Sequence, residues 1–294
     1  MARYGSVALA AALLLPIAFD ASAQSPGAAA TPVPADSSRP FEIEDNSFFV
    51  EEAFNQEAGV VQNIFGAVFL QDGGGWAATF TQEWPAPGIR HQLSYTIPVT
   101  RLNGADGIGD VALNYRYQLF EEGPGRAAVA PRVTLLCPTG NEGRGLGVGA
   151  WGLQANVPVS KQLRDFYVHA NVGLTWYPHV PSEVSPSAAP QVTAERVALT
   201  SPFIGGSVIY RARPMLHLML ESVATWQEAP AGPGRTDRSA LTIVSPGIRG
   251  GWNHRSAQII LGAALPVTMA PGSTDLGVFT YFSYEAPLWK VRTP

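Results

Sequence analysis

Between Gly109 and Phe120 the chain reads GDVALNYRYQLF, and taking every second residue sorts it into two sets. Val111, Leu113, Tyr115, Tyr117 and Leu119 form one; Asp110, Ala112, Asn114, Arg116 and Gln118 form the other. A period of two is that of a β-strand whose faces meet different surroundings. The pattern returns in FYVHANVGLTWY, where Phe166, Val168, Ala170, Val172, Leu174 and Trp176 oppose Tyr167, His169, Asn171, Gly173, Thr175 and Tyr177. In MLHLMLESVATW, Leu216, Leu218 and Leu220 oppose His217, Met219 and Glu221, and in AQIILGAALPV the residues Ala257, Ile259, Leu261, Ala263, Leu265 and Val267 line up. ALTIVSPGI and DLGVFTYFSYE alternate less cleanly. From Val60 onward the spacing predicts about 12 strands, set against the roughly 9 to 11 residues that a tilted spanning strand requires.

The connections carry a second pattern. Alternate ones are tight: PAPG at Pro85, EEGPGR at Glu121, KQLRD at Lys161, RARP at Arg211 and GGWNHR at Gly250. The intervening ones are longer: TRLNGADGI, PTGNEGRGLG, PHVPSEVSPSAAPQVTAERVA, QEAPAGPGRTDR and TMAPGST, with DGGG at Asp72 the exception. Short periplasmic turns and longer extracellular loops are the asymmetry of outer-membrane barrels. The expected fold is therefore all-β, an antiparallel transmembrane β-barrel over residues 60–294.

Tryptophan placement agrees. Trp76, Trp151, Trp176 and Trp226 fall near the loop ends of their strands, and Trp84, Trp252 and Trp289 near the turn ends. Indole favours the membrane interface, where the ring is apolar and its N–H is wet, so the seven predict two girdles against outer-membrane lipid.

A barrel register places Arg116. Facing lipid at the midplane an arginine costs ~2–4 kcal/mol, whereas facing a hydrated lumen it costs little. Asp110, Asn114 and Gln118 then line the lumen too, with Arg132, Ala130 and Thr134 on the next strand, and the hairpin brings Arg116 and Arg132 together. His169, Asn171, His217 and Glu221 complete the lumen candidates, either as a structural ion-pair and hydrogen-bond network or as a substrate path. Tyr95, Tyr115 and Tyr117 are expected toward lipid or the interface.

Composition fits this picture. The 294 residues are 46% hydrophobic and only 14% charged, with 30 glycines and 25 prolines for turns. A net charge of -4 gives no nucleic-acid footprint. The one cysteine, Cys137, forms no intramolecular disulfide and supplies no metal cluster. Residues 1–23 read as a cleaved signal peptide: Arg3, an apolar run from Val7 to Phe19, and Ala21-Ser22-Ala23 before the cut. Residues 24–47, rich in Ala, Pro and Ser, are expected to be a disordered periplasmic lead. For 48–59, FFVEEAFNQEAG, the spacing of Phe49, Ala53 and Phe54 leaves open a short plug-like helix at the barrel mouth or an extended connector.

Other chemistry is missing from the pattern. PTGNEGRG lacks the Lys-Ser/Thr of a phosphate loop, no G-x-S-x-G elbow occurs, and the five histidines have no metal-ligand spacing. Catalytic residues, metal sites and cofactors are accordingly expected to be none.

The segments FFVEEAFNQEAGVVQ, HQLSYTIPV, GIGDVALNYRYQL and APRVTLLCPTG resemble the outer-membrane transporter family named for the MetA pathway of phenol degradation, most strongly from Phe48 to Ser160. The resemblance implies an outer-membrane β-barrel of a Gram-negative bacterium associated with uptake of aromatic compounds. It carries no catalytic residues. The chain departs from many such barrels in running past Tyr284 and Trp289 to KVRTP. The function expected is passive diffusion of small apolar or aromatic molecules through a narrow polar lumen, since about 12 strands enclose less space than a porin. The alternatives are an outer-membrane lipid hydrolase, which would need a Ser/His pair facing the bilayer, and a non-transporting surface barrel acting through the loop 178–198.

Overall fold

A computed structural model describes Ile43 and residues 47–71, 75–102, 104–182, 195–254 and 257–287. The expected signal segment, most of the expected lead, Trp289, the KVRTP end and most of the loop 182–195 lie outside the described residues. Twelve antiparallel strands close into a barrel. They are β1 (Val60–Leu70), β2 (Trp76–Pro85), β3 (His91–Leu102), β4 in two pieces (Ala105–Ile108 and Val111–Tyr117), β5 in two pieces (Ala128–Val129 and Arg132–Cys137) and β6 (Gly152–Leu163). Then follow β7 (Phe166–Pro181), β8 (Arg196–Arg213), β9 (Leu216–Pro230), β10 (Thr236–His254), β11 in two pieces (Ala257–Ala264 and Val267–Ala270) and β12 (Ser273–Pro287). Each strand pairs with its neighbours in sequence, and β1 closes on β12 with Phe65 opposite Phe282.

Prolines mark the breaks. A proline has no N–H to give to a ladder, and the gaps in β5 and β11 contain Pro131 and Pro266, while that in β4 lies opposite Pro98 of β3. Each still accepts through its carbonyl: Gly109 N–H donates to Pro98 O at 2.9 Å, Tyr117 N–H to Pro131 O at 3.0 Å and Gly277 N–H to Pro266 O at 2.8 Å. The pieces therefore stay in register across each interruption.

Closure pairs the strand amides, the condition for spanning hydrocarbon. The outer surface is a belt of exposed apolar side chains, among them Leu113, Val133, Leu153, Val172, Leu174, Ile204, Val208, Leu218, Leu220, Leu261 and Val278. In water such a belt would be an aggregation-prone patch; against lipid it is the solvated face. Trp151, Trp176, Trp226 and Trp252 are exposed, and Trp76 and Trp84 are half-buried at the two ends of β2.

The connections differ from the sequence pattern in one respect. The two longest, 138–151 and 182–195, do leave the same rim, opposite the one where β1 begins. At that rim, however, Leu102 pairs directly with Ala105 and Ala270 with Ser273, so most of TRLNGADGI and TMAPGST is strand. At the other rim GGWNHR also belongs to β10, which runs to His254. Gly, Asn and Asp punctuate these stretches, but strands that project beyond the apolar belt no longer need a hydrophobic face, so composition hides the ladder there.

The inner wall has two arcs. From β3 to β7 it carries Gln92, Ser94, Thr96, Asn114, Arg116, Arg132, Thr134, Gln154, Asn156, Ser160, His169, Asn171 and Thr175, all buried. On the other side β10, β11, β12 and β1 contribute Ile243, Ile260, Ala264, Phe279, Tyr281, Ile64 and Val68 to one apolar cluster.

Candidate functional site

The lumen is occupied by the chain's own segment before β1. Ile43, Ser47 and every residue from Phe48 to Gln56 are buried, so ordered contacts begin inside the stretch 24–47 expected to be a disordered lead. No helix forms over 48–59; the chain is irregular. An irregular backbone at membrane depth has no ladder, so its N–H and C=O groups must find side chains. The inner wall supplies them.

The segment enters where Ile43 N–H donates to Pro214 O at 3.2 Å. Ser47 Oγ donates to Ser207 Oγ at 2.7 Å. The carboxylate of Glu221 then accepts three successive amides, Phe48 at 3.1 Å, Phe49 at 2.8 Å and Val50 at 3.1 Å. Asn171 reads Glu51 as a strand would, accepting its N–H and donating to its carbonyl, both at 2.7 Å. Ala53 N–H donates to Ser160 Oγ at 2.8 Å, and Gln118 Nε2 to Ala53 O at 2.7 Å. Arg116 closes the return path: Nη1 reaches Glu52 O at 3.2 Å, Nε reaches Asn55 Oδ1 at 2.8 Å, and Nη2 donates to Phe54 O. Gln56 N–H ends the run on Gln92 Oε1 at 2.8 Å.

Glu51 is the electrostatic centre of this arrangement. Arg116 and Arg132 are direct cross-strand partners, a like-charge pair that is unfavourable by itself. The Glu51 carboxylate answers both, at 3.0 Å from Arg132 Nε and 3.7 Å from Arg116 Nη1, and accepts from Asn156 Nδ2 at 2.5 Å. The segment thus brings the negative charge that this part of the wall lacks.

The nine lumen candidates separate on inspection. Arg116, Gln118, Asn171 and Glu221 hold the segment's backbone, and Arg132 holds Glu51. Asn114 accepts from Arg132 Nη1 at 3.2 Å and from Thr134 Oγ1 at 2.7 Å, holding the arginine in place. His169 meets Ser160 Oγ through Nδ1 at 2.8 Å, and its Nε2 lies 3.5 Å from Glu52 Oε1. His217 stands apart from these, beside Arg249. Asp110 differs from its expected place at the lumen surface. It is half-buried near the opposite rim, where its carboxylate accepts Gly140 N–H at 2.9 Å and Val148 N–H at 2.8 Å, folding the loop 138–151 against the wall. A Cβ on Gly140 would stand 2.3 Å from Leu146 O, and one on Gly147 2.4 Å from Asp110 Oδ1, which explains the glycines at these two positions.

Ser160, His169 and Glu52 are the residue types of a hydrolytic triad. Here the serine is fully buried, its oxygen receives an amide N–H, and it faces the inner segment rather than lipid. The trio binds chain to wall. Sequence reasoning did not single out Glu51, Glu52, Gln92, Asn156, Ser160 or Arg249. The acidic pair was visible in FFVEEAF, but its partners lie on strands far along the chain. Among the described residues no group of His, Cys, Asp and Glu could hold a metal ion.

Fold and site together define a class: a lipid-facing β-barrel whose lumen is filled by a non-covalently held segment of its own chain. No protein-family model matches the sequence, and no curated protein matches it. Among solved structures, the chain is similar to an outer membrane channel from Pseudomonas putida F1, with a TM-score of 0.58 and 14% identity over 79% of this chain and 96% of that one. It is also similar to the NanC porin, with a TM-score of 0.48 and 6% identity over 76% of this chain and 98% of that one. The first likeness shows the fold, a barrel of the outer-membrane channel kind.

Proposed function

We propose that this protein is a channel of the Gram-negative outer membrane that passes small apolar or aromatic molecules when Ile43 and the segment 47–56 withdraw from its lumen. The observation that carries the reading is the nature of the obstruction. The path is filled by the segment preceding β1, attached through hydrogen bonds and ion pairs to a wall that is closed without it. Withdrawal exposes an arc bearing Phe279, Tyr281, Ile64 and Ile260, a surface suited to an apolar solute, opposite an arc that keeps the lumen wet. The resemblance to the family named for the MetA pathway of phenol degradation and the barrel of the Pseudomonas putida channel support the same reading.

Single-channel recording in planar bilayers tests it. The purified protein is expected to show a closed state with brief openings, and small aromatic solutes such as phenol should interrupt the open current. A barrel that never conducts, even when Glu51 is replaced, would overturn the reading.

A further inference from the structure

The aromatic seat of the lumen has a cation beside it that the segment's described residues do not use. Phe48 is fully buried, with its ring centroid 5.3 Å from that of Phe279 and 5.1 Å from that of Tyr281. Its seat is cut from glycine: a Cβ on Gly262 would stand 2.3 Å from the Phe48 ring, and one on Gly247 3.1 Å. Gly262 pairs directly with Tyr281 on one side and Arg249 on the other, and Arg249 pairs with His217. One row across β9 to β12 therefore reads His217, Arg249, ring seat, Tyr281.

The polar end of the row has donors to spare. Arg249 is 1% exposed, and its Nε and Nη2 lie 3.3 and 3.2 Å from His217 Nδ1. A guanidinium only donates, so Nδ1 is the acceptor and the ring proton sits on Nε2. Among the described residues His217 Nε2 and Arg249 Nη1, both buried, have no hydrogen-bond partner. Two unanswered donors, one of them cationic, leave a desolvation cost that an anionic acceptor would remove.

We propose that the Gly247–Gly262 notch together with Arg249 and His217 is a subsite for a small aromatic carboxylate, whose ring replaces Phe48 and whose carboxylate meets the two free donors. The proposal rests on the channel reading and narrows its substrate class. Neighbouring strands lie about 4.8 Å apart, so along the row Arg249 stands one strand from the Gly262 notch and His217 two, and a ring seated in the notch can direct its carboxylate along the row toward them. A neutral ring of the same shape would fill the notch and leave the donors unanswered.

Titration calorimetry of the detergent-solubilised barrel carrying Phe48→Ala, with benzoate and its neutral isostere benzamide at a pH where benzoate is ionised, decides the matter. Benzoate is expected to bind at least tenfold tighter than benzamide, with excess chloride failing to abolish the difference. Arg249→Gln in the same background should erase the preference and Arg249→Lys should keep part of it, each barrel being checked for folding by its heat-modifiable migration. Equal affinities, a preference that survives Arg249→Gln, or full displacement by chloride would overturn the subsite. Benzoate flux into vesicles bearing the unaltered protein reports separately on the channel reading, so the two can fail independently.

Discussion

Replacing Glu51 by Gln removes the charge that ties the inner segment to the wall while keeping the size of the side chain. In the filled lumen that carboxylate lies between Arg132 at 3.0 Å and Arg116 at 3.7 Å, with side-chain exposures of 2–4% for all three. Taking away one partner of a buried ion pair typically costs about 3–5 kcal/mol, because the remaining charge is left uncompensated. The cost falls on the filled state alone, since both guanidinium groups regain water once the segment leaves. A loss of about 3 kcal/mol shifts the ratio of withdrawn to inserted states by roughly a hundredfold, at 1.4 kcal/mol per factor of ten. The barrel ladder is untouched, so folding should not change. Open probability in planar bilayers is the assay, with heat-modifiable migration as the folding control. Pairing the change with Arg132→Gln should recover part of the closure, because the double variant leaves one uncompensated guanidinium fewer. A Glu51→Gln barrel that folds and opens no more often than the native protein would refute the assignment of Glu51 as the tether.

Three other outcomes follow from the same contacts. Ser160→Ala should loosen the segment by about 1–3 kcal/mol, the cost of leaving Ala53 N–H without an acceptor, and should leave hydrolysis of a p-nitrophenyl ester at background; a native activity lost in this variant would show the trio to be catalytic. Val172→Arg, at a position 57% exposed within β7, should cost ~2–4 kcal/mol if it faces the bilayer interior, read as a lowered urea midpoint for folding into vesicles; an unchanged midpoint would remove Val172 from the lipid face. Asp110→Asn keeps one acceptor but turns an amide NH2 donor toward the second backbone N–H, so limited proteolysis within 138–151 should accelerate while the barrel core stays protected. Unaltered cleavage would mean that the loop is held elsewhere.

What the sequence made legible follows the two solvents of a barrel. Lipid outside imposes an apolar residue at every second position, and Val172, Leu174, Leu218 and Leu220 show it plainly. Arg116 could be placed inward because its cost on the other face is known. Arg249 escaped because SPGIRGG interrupts the alternation with glycine and proline, although the glycines at 247 and 251 are the reason bulky groups can approach that wall. The contacts of the inner segment escaped for a different reason. They join residues distant along the chain, as far as Phe48 with Glu221, and a chain without ladder or helix leaves no period to detect. Only the spacing of Phe49, Ala53 and Phe54 left a plug open as one alternative.

A polar lumen residue in this protein therefore cannot be taken at face value as a solute contact. An irregular chain demands acceptors and donors at irregular places, and the wall meets that demand residue by residue: Glu221 for three amides, Asn171 for a matched pair, Ser160 and Gln92 for one each, Arg116 for three oxygens of the segment. These residues would be needed even if nothing ever passed through the barrel. Subtracting them leaves the polar groups that the described residues of the segment do not require, and selectivity is to be sought there. By that criterion Arg249 and His217 rank above Arg116 and Arg132, although the latter pair sits in the more conspicuous sequence motif. Substitution at Arg116 should alter how often the lumen opens, and substitution at Arg249 should alter what the opened lumen prefers.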